Sequence, residues 1–265
     1  MRTERRLRKL DKSYSEHLRE ARKRIFSCVL FLGFAFSLCI LNASPIFEAV
    51  LKPGTEAGFE IISVSPGDAL VAGITVVFLS SFFLTVPFMT IQFGSFMMPA
   101  VDQAKRVKLR VVIFVIIVLF FAGLAFSFKV MLPVFFGFMH GYGGQFMIAE
   151  TFSVMDYVSF IITFSVVMGI AFETPLFVVA MWIFGIMDRQ KVKKFRGVFY
   201  LVIFVGAAFI TPPDVISQVM VALPMLGLFE LGNVCGMSIQ KRNKGINAQG
   251  KDEFKKQAYV REERS

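Results

Sequence analysis

Residues 111–128, VVIFVIIVLFFAGLAFSF, form a run of eighteen residues that contains no charged side chain. A helix rises about 1.5 Å per residue and must cross roughly 30 Å of hydrocarbon to span a bilayer. This run therefore predicts a transmembrane helix. The composition agrees, because 55% of the 265 residues are hydrophobic, 18% are charged and 33 are Phe. These values argue against a soluble enzyme and favour a membrane protein.

Five further runs complete a predicted set of six transmembrane helices. They are residues 25–43, 69–98, 158–187, 198–210 and 215–237, with Pro87 interrupting the run 69–98. The run 198–210 spans only about 20 Å as a helix, which implies local thinning of the bilayer, a wet cavity or incomplete crossing. Pro212, Pro213 and Asp214 follow it, and because Pro ends a helix and Asp caps the next one, we expect a tight helical hairpin.

The basic residues predict the orientation of these helices. With six spans, 27 of the 29 Lys and Arg residues fall in the two termini and in the second and fourth loops. By the positive-inside rule, both termini are then cytoplasmic. The two long outward loops, 44–68 and 129–157, are expected to pack as a small cap. Because the net charge of +10 belongs to the flanks and loops, no nucleic-acid partner is expected.

The predicted organisation is that of an all-α, multi-pass protein of the cytoplasmic (inner) membrane. A basic N-terminal segment, 1–24, lies in the cytoplasm. The six-span domain, 25–237, follows it. A polar cytoplasmic tail, 238–265, is expected to be mobile or to lie on the membrane surface.

Neither metal binding nor catalysis is predicted. Cys28, Cys39 and Cys235 lie in apolar runs without a CxxC pair, and the two histidines, His17 and His140, are far apart in the sequence. The spans hold no paired carboxylates and no Ser/His constellation, and the chain has no Gly-rich loop of the phosphate-binding type. We therefore expect no cofactor, no metal and no catalytic residue.

Two acidic residues lie inside predicted spans, where an ionisable group is costly and so becomes a candidate functional residue. Glu173 lies near the middle of the fourth span and is followed by Thr174 and Pro175. The proline removes one backbone donor and frees carbonyls a turn earlier. Glu173 could serve a function, or it could be a protonated or hydrogen-bonded carboxyl group that fixes packing. Glu230 lies two-thirds along the last span, near the cytoplasmic interface.

A charged stretch precedes the first span. Ser15 could cap a helix that enters the membrane, and Glu16 and Glu20, four residues apart, would then share one face. Glu20 could belong to a binding site. Alternatively, it could pair with Lys23 or Arg24 on its own helix, with the basic stretch binding anionic lipid.

Four motifs resemble the TatC family of twin-arginine translocase subunits. They are His17-Leu18-x-Glu20-x-Arg22-x-Arg24, the segment 92–99 that ends in Pro99, Phe172-Glu173-x-Pro175-Leu176, and the block TPPDVISQ at 211–218. The likeness extends from about residue 14 to 237. The last block is specific in combination with six spans, whereas the N-terminal motif alone would be weak.

The resemblance implies a receptor that binds the Arg-Arg signal peptides of folded substrates and recruits single-span TatA and TatB partners. It implies homo- and hetero-oligomers, and transport that is driven by the proton-motive force. It also implies a glove-like bundle whose curved wall is completed by the short last hairpin. Signal-peptide binding is assigned to Glu20, His17 and Arg22, and partner-helix binding to Glu173, Thr211 and Gln218. Thr211 could instead cap the hairpin. Structural roles are assigned to Pro87, Pro99, Pro175, Pro212, Pro213 and Asp214.

The chain departs from the family at one charged position. A second acidic residue is expected in the loop between the second and third spans, where this chain has Lys105. A cation there would repel a twin-arginine peptide. Either Asp102, one helical turn earlier, supplies the second negative charge, or Glu20 acts alone, or the substrate preference differs. We favour Asp102.

The main alternative function is a proton-coupled carrier of small solutes in which Glu173 titrates. Such carriers usually have internal repeats and several polar groups at the middle of the membrane. This chain shows one deeply placed acid and no repeat. A membrane enzyme or a pure scaffold is less well supported still, so the translocase receptor is the preferred interpretation.

Overall fold

The structure is a computed structural model that describes residues 2–100, 103, 106–143, 151–210 and 215–262. It is mostly helical. The α-helices are α1 (Arg2–Leu41), α2 (Ala43–Glu56), α3 (Asp68–Met97), α4 (Arg106–Phe126), α5 (Leu132–Gly143), α6 (Val154–Ala171), α7 (Thr174–Ile183), α8 (Arg189–Ile210) and α9 (Val215–Glu262). Two short strands are β1 (Glu60–Ile62) and β2 (Thr151–Ser153). The chain divides into two compact units, Met1–Gly169 and Ile170–Ser265.

Five helical stretches within the described residues are long and apolar enough to cross a membrane. They are Leu18–Leu41, Asp68–Met97, Arg106–Gly141, Val154–Ile183 and Gln218–Lys241. The stretch predicted as the fifth of six spans, 198–210, forms the second part of α8, whose first turns carry basic residues. Helix α8 is not among the five, because its apolar part is short.

In the first unit, α1 packs along α3. The rings of Phe31 and Phe88 stack with centroids 4.4 Å apart and planes within 6°. Helix α3 is continuous through the adjacent Pro87, so the expected interruption of this span is wrong. A proline removes one hydrogen bond from the ladder, and neighbouring helices commonly support such a position in a membrane protein.

The two segments predicted as outward loops are more regular than expected. The first contains α2 and β1, and the second begins with a π-helical turn, Ser127–Met131, that leads from α4 directly into α5. The helix continues past the single charge of Lys129 because α5 is apolar. Strands β1 and β2 pair in parallel, with Ile61 opposite Phe152, and so join the two segments.

Tyr157, whose side chain is fully buried, anchors this region. Its hydroxyl accepts a hydrogen bond from the Gly54 backbone N–H, and it lies 3.0 Å from each of the carbonyl oxygens of Val50 and Leu51. A Cβ at Gly54 would lie 2.4 Å from the tyrosine ring, so only glycine allows this approach. The ring of Phe136 stacks on the ring of Tyr157, with centroids 5.3 Å apart.

The predicted fourth span is broken in the middle. Helix α6 ends at Ala171, four residues before Pro175, and α7 begins at Thr174. This is the place where the missing N–H of Pro175 leaves a carbonyl of the preceding turn without its donor. The break leaves Glu173 at the N-terminal end of α7.

In the second unit, α7 packs closely against α9 through two glycines. A Cβ at Gly232 would lie 2.9 Å from Pro175 Cα, and a Cβ at Gly236 would lie 2.5 Å from the Trp182 ring. Gly185, at φ +73°, turns the chain after α7, and Asp188 accepts hydrogen bonds from two backbone N–H groups at the start of α8. Helix α8 meets α9 where Phe199 stacks on Phe229, with centroids 5.0 Å apart.

The helices at both ends of the chain are longer than the sequence predicted. Helix α1 begins at Arg2, so Ser15 lies inside the helix and does not cap it. Helix α9 continues to Glu262, so the segment 238–262 of the predicted polar tail is helical. Arg, Lys, Glu and Gln favour helix about as well as Leu does, so a change from apolar to charged residues need not end a helix.

Candidate functional site

Glu20, the predicted signal-binding residue, lies on α1 and pairs with Arg24 one turn later. Arg24 Nη2 and Nε donate hydrogen bonds to Glu20 Oε1 at 2.7 and 3.1 Å. The side chain of Glu20 is 38% exposed. Among the described residues, its second oxygen, Oε2, has no hydrogen-bond partner. One oxygen therefore faces the internal cation while the other remains able to accept a hydrogen bond from a ligand.

Arg24 connects this carboxylate to the second helix of the pair. Its Nη1 donates to the side-chain oxygen of Gln92 at 3.0 Å and to the Gln92 backbone carbonyl at 3.3 Å. Gln92 lies in the last two turns of α3. The carboxylate, the guanidinium and the amide thus form a chain of hydrogen bonds across α1 and α3.

A cavity of about 440 Å³ adjoins this chain between α1 and α3. Its walls are almost entirely apolar, and its polar lining residues are Arg24, Thr85 and Gln92. The apolar lining includes Ile25, Val29, Leu32, Phe82, Met89 and Phe93. The arrangement offers a charged group at the end of an apolar groove within the first unit.

The other predicted signal-binding residues are placed less fully. Arg22 lies on α1 with an exposed side chain. His17 lies on the same helix, but its side chain is outside the described set, and both Asp102 and Lys105 lie outside the described residues. Pro99 lies in the short 3₁₀ turn Met98–Ala100 that ends α3. Among the side chains that the structure describes, Glu20 contacts Arg24 and is linked through it to Gln92, and no hydrogen bond joins Glu20 to Arg22.

Glu173 lies between α6 and α7, where its backbone N–H donates to the carbonyl of Ile170 at 3.0 Å. Its Oε1 atom is buried and has no hydrogen-bond partner among the described residues. A buried carboxyl oxygen without a donor is costly. The position is thus able to accept a hydrogen bond from a polar group on another molecule.

The predicted hairpin site is only partly placed. Gln218, in the first turn of α9, donates from Nε2 to the Phe204 carbonyl of α8 at 2.9 Å. Its amide nitrogen therefore ties the two helices together, and its oxygen remains as an acceptor. Thr211, Pro212, Pro213 and Asp214 lie outside the described residues.

Sequence reasoning missed two polar contacts in the second unit. Glu230 accepts from Arg196 Nε at 2.7 Å and from the Tyr200 hydroxyl at 2.5 Å, and a further bond joins Arg196 Nη2 to its other oxygen. The bond to Glu230 raises the pKa of the Arg196 guanidinium. The second contact joins α7 to α9, where Trp182 Nε1 donates a hydrogen bond to Asn233 Oδ1 at 3.2 Å.

A signal for the second contact was present in the sequence. Gly232 and Gly236 form a G-x-x-x-G pattern, which is typical of closely packed membrane helices. Asn233 lies between the two glycines. The partner helix could not be read from this pattern, because small residues permit close packing without specifying the surface that fills the groove.

The described residues contain no group of three or more His, Cys, Asp or Glu side chains that could hold a metal ion. The fold and the placed residues define a multi-pass helical membrane protein with isolated polar groups at and within its spans.

Comparison with known proteins assigns the family. The model of the family described as "Sec-independent protein translocase protein (TatC)" matches residues 16–224. The TatC protein of Aquifex aeolicus is 31% identical over 237 residues, which cover 88% of this chain and 98% of that relative. The TatC protein of Halothiobacillus neapolitanus is 30% identical over 219 residues, 82% of this chain but only 60% of that relative.

A solved structure agrees with the sequence relatives. The crystal structure of a protein described as twin arginine translocase receptor TatC matches with a TM-score of 0.71 and 29% identity, covering 83% of this chain and 98% of that one. The chain belongs to the TatC family of Sec-independent protein translocase proteins. Members of this family are components of a protein translocase and are not enzymes. Membership therefore favours a role in protein transport over the alternative of a small-solute carrier.

Proposed function

We propose that the protein is the receptor subunit of a twin-arginine translocase and that Glu20 binds an arginine of the signal peptide. The observation that carries this proposal is the Glu20 carboxylate, which is 38% exposed and shares only Oε1 with Arg24 among the described residues. Arginine presents two parallel N–H donors to a carboxylate, which lysine cannot do. A site that requires Arg-Arg therefore needs a carboxylate with an oxygen to offer.

Binding would proceed by exchange of one guanidinium for another. Arg24 is already held by both oxygens of Gln92, so it keeps hydrogen-bond partners when a signal-peptide arginine takes its place on Glu20. After the exchange Arg24 has no carboxylate partner, but its side chain is partly exposed to solvent and its Nη1 keeps two neutral acceptors on Gln92, which lowers the cost of breaking the ion pair. Gln92 thus acts as a positioning residue.

The second arginine requires a second negative charge. We propose that Asp102 supplies it, three residues before Lys105, which occupies the position where the family pattern places an acid. His17 and Arg22, on either side of Glu20 in the sequence, would flank the bound peptide. The Asp102→Asn variant tests this point, because unchanged binding in that variant, together with loss of binding in Glu20→Gln, would contradict it.

Site-specific photocrosslinking tests the receptor proposal. A photoreactive residue at Lys23, beside Glu20, is combined with a radiolabelled signal peptide in membranes, and Arg-Arg is compared with Lys-Lys. We expect crosslinking to Arg-Arg only, and at least a tenfold loss in Glu20→Gln, in line with about 1.5–3 kcal/mol for a hydrogen bond to a charged group. The matched control is Glu16→Gln. Crosslinking that ignores both the Lys-Lys exchange and Glu20→Gln would overturn the proposal.

We further propose that Glu173, Thr211 and Gln218 bind single-span partners of the TatA and TatB type. The buried, unpartnered Oε1 of Glu173 supports this role, since a polar group on a partner helix would satisfy it. A Glu173→Ala variant that still copurifies with both partners at the normal ratio would contradict the assignment. Gln218→Leu should act less strongly, because its amide nitrogen already serves α8.

The proposed topology has six spans in the inner membrane, with both termini cytoplasmic and with 198–210 as the short fifth span of a glove-like bundle. Its domains are then 1–24, 25–237 and 238–265. The charge distribution supports it, because 27 of 29 basic residues lie on one side in this arrangement. Labelling of single cysteines at Gly67 and Arg189 with a membrane-impermeant reagent tests the topology. Labelling of Arg189→Cys from the outside would contradict it.

A further inference from the structure

A cavity of about 420 Å³ with several charged residues in its lining lies between α8 and α9 in the second unit, and none of its lining residues has a role in the proposed function. Its basic lining residues are Arg189, Lys193 and Arg196. They are spaced at i, i+4 and i+7 along α8 and therefore share one face of that helix. The cavity thus collects three cations at the end of α8 that precedes the apolar stretch 198–210.

The carboxylate that lines the cavity, that of Glu230, already has hydrogen-bond partners. Glu230 lines the same space, but its two oxygens already accept hydrogen bonds from Arg196 and Tyr200. Arg189 and Lys193, in contrast, have no hydrogen-bond or ion-pair partner among the described residues. Two cations therefore remain for an anion, in addition to the unused Nη1 of Arg196.

Asn233 supplies a second, independent observation. Its side chain is 2% exposed and lines the cavity, and its Oδ1 accepts from the Trp182 indole. Its Nδ2 is buried without a hydrogen-bond partner among the described residues. Buried donors are nearly always satisfied, so an unsatisfied amide at a basic cavity indicates an absent acceptor.

We propose that this cavity binds the phosphate group of a membrane phospholipid. A phosphate diester offers the negative charge and the acceptor oxygens that Arg189, Lys193 and Asn233 Nδ2 lack, and charge-assisted hydrogen bonds to phosphate are among the strong ones. The cavity lies where charged residues give way to an apolar helix, so the acyl chains of the same lipid can lie along α8. The proposal is independent of signal-peptide binding, because it uses no residue of the Glu20 site.

Native mass spectrometry of the full chain in detergent tests the proposal, with phosphatidylglycerol as the probe. Lys193→Gln should lower its affinity about tenfold, the effect of one lost charge-assisted hydrogen bond. The matched control is Lys194→Gln, which removes the same charge from the neighbouring residue; Lys194 lies over the ring of Phe195 and is not part of the cavity lining. Equal affinities for the two variants would overturn the proposal.

Two further arms identify the ligand. Asn233→Asp keeps an oxygen for Trp182 but replaces the amide donor with a second carboxylate oxygen, so phosphatidylglycerol binding should fall while an unchanged thermal midpoint shows that the fold is intact. Inorganic phosphate at millimolar concentration should fail to displace the lipid. Displacement of the lipid by inorganic phosphate would overturn the lipid assignment and indicate a free phosphate as the ligand. Unchanged phosphatidylglycerol binding in Asn233→Asp would overturn the proposed contact between the Asn233 amide and the phosphate group.

Discussion

Two helix pairs in this protein are held together in opposite ways. Helices α7 and α9 approach so closely that a single added carbon at Gly236 would overlap Trp182. Helices α1 and α3 meet through large side chains, such as stacked Phe31 and Phe88, and leave an apolar cavity between them. In the most apolar part of the α1 stretch Leu18–Leu41, 11% of the residues are buried, whereas 33% are buried in the most apolar part of the α9 stretch Gln218–Lys241.

The difference shows how one chain can contain both a closely packed and an accessible helix contact. Without water between them, membrane helices gain stability mainly from close packing and interhelical hydrogen bonds, which small residues allow. The α7–α9 pair uses both, through Gly232 and Gly236 and the Trp182–Asn233 bond. The α1–α3 pair places its polar link, Arg24 to Gln92, at one end and leaves the rest of α1 largely uncovered.

The largest effect is expected from Gly236→Leu. The new side chain has no space against Trp182, so the variant should lose about 3 kcal/mol of stability through overpacking. The thermal midpoint in detergent measures this loss. Gly227→Leu, on the same helix with nothing within 4 Å, is the control. Equal midpoints for the two variants would mean that α7 and α9 are not in close contact.

A smaller loss is expected from Phe31→Ala, which removes the stacked ring from the α1–α3 contact. Phe31 is half-buried, so we expect a loss of about 1–2 kcal/mol, below that of a fully buried Phe. Phe26→Ala, on the same helix with 62% exposure, should leave the thermal midpoint almost unchanged. A loss larger than that of Gly236→Leu would reverse the comparison between the two helix pairs.

Arg24→Gln is expected to strengthen signal-peptide binding slightly. Removing the internal cation frees Glu20 from competition, and a partly exposed pair of this kind contributes about 0.5 kcal/mol, or roughly a twofold change in affinity. Lys23→Gln removes an equal charge that has no bond to Glu20 and serves as the control. The idea fails if Arg24→Gln weakens peptide binding or if both variants strengthen it equally.

The smallest effect is expected from Gly33→Leu in α1, where a side chain would meet nothing within 4 Å. The free energy of unfolding of this variant should change by less than about 0.5 kcal/mol, as for most exposed substitutions, so its thermal midpoint should stay close to that of the wild type. Because the chemical change is the same as in Gly236→Leu, the two variants compare the helix pairs directly. A marked loss at Gly33 would show that α1 is covered in the purified protein.

Several features of the fold followed from the sequence because they depend on local properties of the chain. Apolar runs of sufficient length predicted helices at 25–43, 69–98 and 111–128, and the structure has helices in all three places. Pro175 was expected to free carbonyls one turn earlier, but the break that the structure shows between Ala171 and Thr174 in the fourth span was not predicted. Pro87 did not interrupt α3, since the effect of a proline inside a helix depends on what packs around it.

The candidate site was less accessible to sequence reasoning. Glu20 was identified through the family resemblance, and its pairing with Arg24 was foreseen as an alternative because the two residues are four apart on a helix. The bond from Arg24 to Gln92, 68 residues away, could not be foreseen. Nor could the use of the Gln218 amide by the Phe204 carbonyl, which depends on how α8 and α9 face each other.

The sequence alone determined that this is a helical membrane protein of the TatC type, since segment length, hydropathy and short motifs are properties of neighbouring residues. Only the tertiary structure decided which helices pack closely and which leave a groove. It also decided that Glu20 reaches Gln92 through Arg24 and that three cations of α8 share a cavity with the unsatisfied amide of Asn233. These contacts depend on the faces that distant segments present to each other, and hydropathy carries no information about that choice.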